Sequence, residues 1–199
     1  MKKNVWRIML IIVFLFSYLI INTKVLESNN KNVFSIPGLP RPIGKEPVII
    51  TSAGQSTNTY IIKDISNRLM LRSYFLPQAK SNDLKEAKTI VFSIDYSPLS
   101  LKLQGKKYEE EKERIKELVD KADHIDMKIV SIVFGGKKQN KKENIELLDI
   151  VLPKSDYIIG VKESYCESYI IQIAKDNDIQ ITLVDGVKAI YEPFASIFR

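Results

Sequence analysis

Pro47-Val48-Ile49-Ile50-Thr51-Ser52-Ala53-Gly54-Gln55-Ser56-Thr57 is the stretch on which the reading of the fold turns. Val48–Thr51 is a short β-branched run with no polar alternation, as expected of a strand buried on both faces of a parallel sheet. Small residues then make a turn, and helical spacing begins with Ile61, Ile62, Ile65 and Leu69. Strand, tight turn and helix in that order open an α/β unit.

The same alternation repeats downstream. Short apolar runs lie at Ile90–Ile94, Ile129–Phe134, Tyr157–Val161 and Ile181–Val184, with a weaker strand candidate at Ser73–Leu76. Between them, Ile115, Leu118, Val119, Ala122 and Ile125 form an amphipathic stripe on a helix opened by Glu109, Glu110 and Glu111, acids that suit the positive end of the helix dipole. Further helices are expected at Lys141–Val151, ending before Pro153, at Cys166–Asn177, and briefly after Gly186. The pattern predicts a three-layer α/β sandwich, flavodoxin-like, with a mostly parallel sheet of five or six strands, right-handed crossovers and strand order 2-1-3-4-5.

Outward toward the N-terminus the composition changes. Asn22–Glu46 holds Asn29, Asn30, Asn32, Pro37, Gly38, Pro40, Pro42 and Gly44 and reads as a flexible linker, so that residues 47–199 form a single domain. Before it, Lys2, Lys3 and Arg7 precede the apolar run Ile8–Ile21, broken only by Ser17 and Tyr18. At 14 residues the run is shorter than the roughly 20 of a usual span. Val5 and Trp6 extend it, and no small-residue cleavage pattern follows. Residues 1–21 are therefore expected to be an uncleaved signal anchor, with a cleaved signal peptide as the alternative. Residues 5–21 would contact the membrane, and the C-terminal domain would lie outside the cytoplasm, secreted if the segment is cleaved.

Charge and reactive residues exclude several classes. The net charge is +6, of which Lys2, Lys3 and Arg7 supply half, so the remainder is only mildly basic and offers no nucleic-acid footprint. Cys166 is the only cysteine and His124 the only histidine, which argues against a disulfide framework, a zinc site or a histidine-based triad. No cofactor and no metal are expected. A dinucleotide fingerprint, a phosphate-binding P-loop and a Gly-x-Ser-x-Gly elbow are all missing, and Gln172 stands where a Cys-x5-Arg loop needs arginine.

Ligands of open α/β sheets bind beyond the carboxyl ends of the strands, so the loops there carry the candidate residues. Ser52, Gly54, Gln55, Ser56 and Thr57 lie where the first strand turns into a helix, an arrangement suited to an anion or to simple capping. Asp95 ends a buried strand and leads into Pro98–Lys107, a loop long enough to act as a lid. Gly135, Gly136 and Lys137 follow another strand and permit close approach of a ligand to the backbone. Asp185 is expected to cap the last helix, with a site role beside Asp95 as the alternative.

Pro47–Ser56, Gly135-Gly136 and Leu183-Val184-Asp185 together resemble the bacterial domain-of-unknown-function family 6305, from Pro47 to the C-terminus. The Ser-Ala-Gly-Gln-Ser stretch is the most specific part. Relatives carry a glycine- and serine-rich loop after the third strand; here Ser93-Ile94-Asp95-Tyr96-Ser97-Pro98 departs from that pattern. The resemblance implies a secreted or anchored α/β domain and brings no established activity and no catalytic residues. The expected function is a non-catalytic module binding a small polar or anionic ligand. A hydrolase using Asp95 or Asp185, and an accessory subunit contacting a membrane protein partner, are the alternatives.

Overall fold

The computed structural model describes residues 36–135, 141–162 and 164–199. The apolar run at 8–21, Gly136 and Lys137 lie outside them. Among the described residues, no helix is long and apolar enough to cross a membrane.

Six strands form one all-parallel sheet: β1 (Val48–Ala53), β2 (Ser73–Phe75), β3 (Thr89–Ile94), β4 (Lys128–Val133), β5 (Tyr157–Val161) and β6 (Gln180–Val184). Their order is β2-β1-β3-β4-β5-β6, the expected order with the sixth strand added beside β5. Every residue of β1 and β3 is buried, which is why neither shows polar alternation. Side chains of alternate residues feed opposite faces. Ile49, Phe92, Ile129 and Ile158 join one cluster, and Val48, Val91, Val130 and Tyr157 the other.

Helices cover both faces. α1 (Thr59–Arg68) buries Ile62 and Ile65 on the second face, alongside Phe194 of the short C-terminal α6 (Tyr191–Ala195). The first face is covered by α3 (Tyr108–His124), α4 (Lys141–Val151) and α5 (Glu167–Asp176). In α3 the stripe Ile115, Leu118, Val119 and Ala122 is buried, whereas Ile125, just past the helix, is 39 % exposed. The segment expected to be a long loop after β3 instead begins with a helix, α2 (Pro98–Leu103). Ser97 caps it by accepting the Ser100 N–H, and Pro98 sits at its first position, where a missing N–H costs nothing.

Residues 36–46, within the stretch read as linker, are packed against the domain. Leu39 is buried and its N–H donates to Ser196 Oγ at 2.9 Å. The Ile36 N–H donates to the Ile181 carbonyl, and those of Ile43 and Gly44 to that of Ile197, at 2.8 to 3.0 Å. The proline-rich composition that suggests a spacer here supplies a strap packed on the domain instead.

Candidate functional site

β1 has β2 on one side and β3 on the other, so the chain leaves the C-terminal ends of β1 and β3 in diverging directions. Ligands of open α/β sheets bind where strand connections diverge in this way. The two loops are stitched together here. The Asp95 N–H donates to the Ala53 carbonyl at 3.0 Å and the Ser97 N–H to the Gly54 carbonyl at 2.7 Å, and Gln55 bridges Tyr96. Gly54 takes φ +103°, and a Cβ there would lie 2.6 Å from the Asp95 carbonyl oxygen. Only glycine meets both demands. Gln55 follows at φ 62°, a left-handed conformation uncommon outside glycine, held by the contacts its side chain makes.

Those contacts centre on a buried carboxylate. Glu111, in the first turn of α3, has a fully buried side chain beneath the β1 turn. It accepts the Gly54 N–H at 2.9 Å, the Gln55 side-chain amide at 3.1 and 3.2 Å, and Arg114 through Nε at 2.8 Å and Nη2 at 2.6 Å. Arg114 in turn donates to the Ser52 carbonyl at 2.6 Å and the Ala79 carbonyl at 2.8 Å. A buried charge survives only when paired and hydrogen-bonded, and this one is both. Of the three glutamates read as suiting the helix dipole, Glu111 is the one that ties α3 to the end of β1.

A second carboxylate sits above it. Asp95 Oδ2 accepts the Ser56 hydroxyl at 2.7 Å and the Asn58 side-chain amide at 2.8 Å. Ser56 Oγ also accepts the Asn58 N–H at 3.2 Å. The amides that an anion at the start of α1 would need are engaged already. Those of Thr59, Tyr60 and Ile61 donate to the Ser56, Thr57 and Asn58 carbonyls at 3.4, 3.0 and 3.0 Å. Ser52 is buried in the sheet, Gln55 turns inward to Glu111, and Thr57 stands exposed.

On the far side of Asp95, the Tyr96 N–H donates to Asn144 of α4 at 2.8 Å, and the Tyr96 ring meets that of Tyr108 edge-on. Burial raises the Tyr96 phenol above its ordinary value, with the Glu143 charge adding to it. Burial, the neighbouring Cys166 and the charges of Asp95 and Glu143 hold the Tyr165 phenol up at about 12. Cys166 is buried and its thiol is raised by that burial, as expected of an inert packing cysteine. Gly135 has φ +88°, and a Cβ there would lie 2.3 Å from Ser164 Cβ, so this turn is packed against the β5–α5 loop. Asp185 pairs with Lys162 at 2.7 Å with its side chain 87 % exposed. It follows β6, three strand spacings from the end of β3, about 14 Å at ordinary sheet geometry. The two carboxylates therefore leave the sheet at separate strand ends, with two strands between them.

The structure thus gathers Gly54, Gln55, Ser56 and Asp95 at one sheet edge and leaves Asp185 apart. It adds Asn58, Glu111, Arg114 and Asn144, which the sequence reading passed over. A signal for Glu111 was present: it stands four residues before Ile115, on the stripe that continues through Leu118 and Ala122. Arg114, three residues on, supplies its partner.

Residues 45–198 match the family described as a domain of unknown function, DUF6305, and the chain belongs to that family. No curated protein and no solved structure matches the chain.

Proposed function

We propose that residues 36–199 form a non-catalytic binding domain, held outside the cytoplasm by the N-terminal apolar segment. It takes a small polar ligand at the crevice between the β1 and β3 loops. The observation that carries this reading is the Asp95 carboxylate at the divergence of the two loops, oriented by Ser56 and Asn58. A carboxylate in that setting favours a ligand with hydrogen-bond donors, such as a hydroxylated or aminated small molecule. The anionic ligand of the initial expectation is less well supported, because the α1 amides already donate to backbone carbonyls. A hydrolase reading is supported less again. Cys166 is buried, His124 is exposed at the end of α3, and Asp185 is remote from Asp95.

The test is thermal unfolding of the protein against a panel of sugars, polyols, amines, amino acids and anions. A donor-bearing ligand at about 100 times its Kd adds about 2.7 kcal/mol, a shift of several degrees. Asp95→Asn should remove that shift. A shift that survives the substitution would move the site elsewhere, and a response confined to anions would reverse the ligand class.

A further inference from the structure

The two edges of the sheet are finished differently. At β6 the strap lies along the edge. The Ile36 N–H donates to the Ile181 carbonyl at 3.0 Å, and the Thr182 hydroxyl to the Ile36 carbonyl at 2.6 Å. β2 closes the other side with no strand beyond it. The Val48 N–H donates to the Arg72 carbonyl at 3.0 Å and the Leu76 N–H to the Ile50 carbonyl at 2.9 Å. Main-chain groups alternate in direction along a strand, so Ser73 and Phe75 turn theirs away from the sheet. Among the described residues, no backbone group pairs with those outward N–H and C=O groups.

Nothing in the side chains guards this edge. Ser73-Tyr74-Phe75-Leu76 carries no charge and no proline, the devices that usually keep exposed edges apart. Its brevity is the guard that remains, and a partner of equal length meets it. The Tyr60 ring of α1 packs on Phe75 with centroids 4.8 Å apart. Eight large apolar side chains are exposed among the described residues. Four of them, Tyr60, Met70, Tyr74 and Leu76, stand on β2, just past its end, or on the segment leading into it. Open main-chain groups flanked by apolar side chains are completed by another strand.

We infer that a second copy of this chain supplies that strand, with β2 pairing antiparallel to β2 about a two-fold axis at Tyr74. The edge is self-complementary in this register. Ser73 faces Phe75 of the second copy and Phe75 faces its Ser73, which uses every outward main-chain group of both strands at once. A large side chain meets a small one at each of these positions. Tyr74 meets Tyr74 of the second copy at a non-hydrogen-bonded position, where side chains approach most closely. Arg72 falls opposite Leu76 rather than another cation, and Glu46 accepts the Arg72 N–H at 2.6 Å, which sets an acid beside it. An edge this short suits an exchanging dimer rather than a permanent one. The pairing needs neither the ligand nor the anchor proposed above.

The experiment is mild oxidation of full-length Tyr74→Cys and Leu76→Cys variants, with detergent present for the apolar run at 8–21. Across the axis the two Tyr74 Cα atoms would lie about 4.5 Å apart, within disulfide reach, and the two Leu76 Cα atoms about 14 Å apart. The native Cys166 is buried, so the parent chain is the blank. A disulfide-linked dimer is expected from Tyr74→Cys, none from Leu76→Cys, and a linked pair from Arg72→Cys mixed with Leu76→Cys. Sedimentation velocity should show concentration-dependent association of the parent chain. Tyr74→Lys, which sets two cations face to face, should lose it at unchanged Tm, Tyr74 being 43 % exposed. No linked dimer from Tyr74→Cys, or equal linking of Tyr74→Cys and Leu76→Cys, overturns the inference. Association that survives Tyr74→Lys overturns it too, by assigning the contact to another surface.

Discussion

Changing Glu111 to alanine is the sharpest perturbation of the site's support. The substitution leaves the Arg114 guanidinium, only 10 % exposed, facing two carbonyls with no counter-charge. It also leaves the Gly54 N–H and both Gln55 amide contacts without their carboxylate. Breaking a buried ion pair from one side costs about 3–5 kcal/mol. For a domain of this size, that corresponds to a fall in Tm of about 6–20 °C, since each kcal/mol shifts Tm by about 2–4 °C. Urea unfolding followed by circular dichroism measures the free energy, and Tm follows from heating the same samples. Glu111→Leu with Arg114→Met should cost less than the two single changes summed, by about 2 kcal/mol, because the second change removes the stranded charge. A loss below about 1 kcal/mol for Glu111→Ala, or strict additivity in the double variant, would refute the idea that this pair secures the β1 turn.

Other expectations follow from the same geometry. Gly54→Ala places a Cβ 2.6 Å from the Asp95 carbonyl oxygen at φ +103°. It should destabilise the domain by about 2 kcal/mol or more, measured by urea unfolding. Cys166 is buried with a raised thiol, so a disulfide reagent should modify it only at the rate of local or global opening, and a rapid burst at neutral pH would contradict its placement. Tyr165 has a folded-state value of about 12 against an ordinary 10. A raised value means the native state holds the proton longer, so the contribution of Tyr165 to stability should be constant below about pH 10 and fall as pH rises toward 12. Spectrophotometric titration of Tyr165→Phe against the parent chain should show one late-titrating phenol fewer.

Much of the fold was legible because burial on both faces leaves a mark in a strand. The runs at 90–94, 129–134, 157–161 and 181–184 each fell within a residue or so of an observed strand. Their alternation with apolar stripes left few topologies to consider. α2 was not legible, because its six residues bury one leucine and show two, which is no amphipathic pattern. The strap at 36–46 was not legible either, since prolines describe extended backbone without saying what it lies against. At the site, Ser56 and Asp95 could be placed at one sheet edge from strand ends alone. Their hydrogen bond, the inward turn of Gln55 and the service of Glu111 all depend on contacts 39 to 57 residues apart along the chain. No local propensity encodes those contacts.

The most direct measurement is a 15N–1H correlation spectrum of the isotope-labelled domain, titrated with the donor-bearing compounds that raise its Tm. Saturable shifts centred on Gly54–Asn58 and Asp95–Ser97, and absent from Asp95→Asn, are expected. Shifts centred instead on the cleft of about 700 Å³ between α1 and the C-terminal segment, lined by Ile61, Arg68, Lys188 and Tyr191, would contradict the assignment of the β1–β3 crevice.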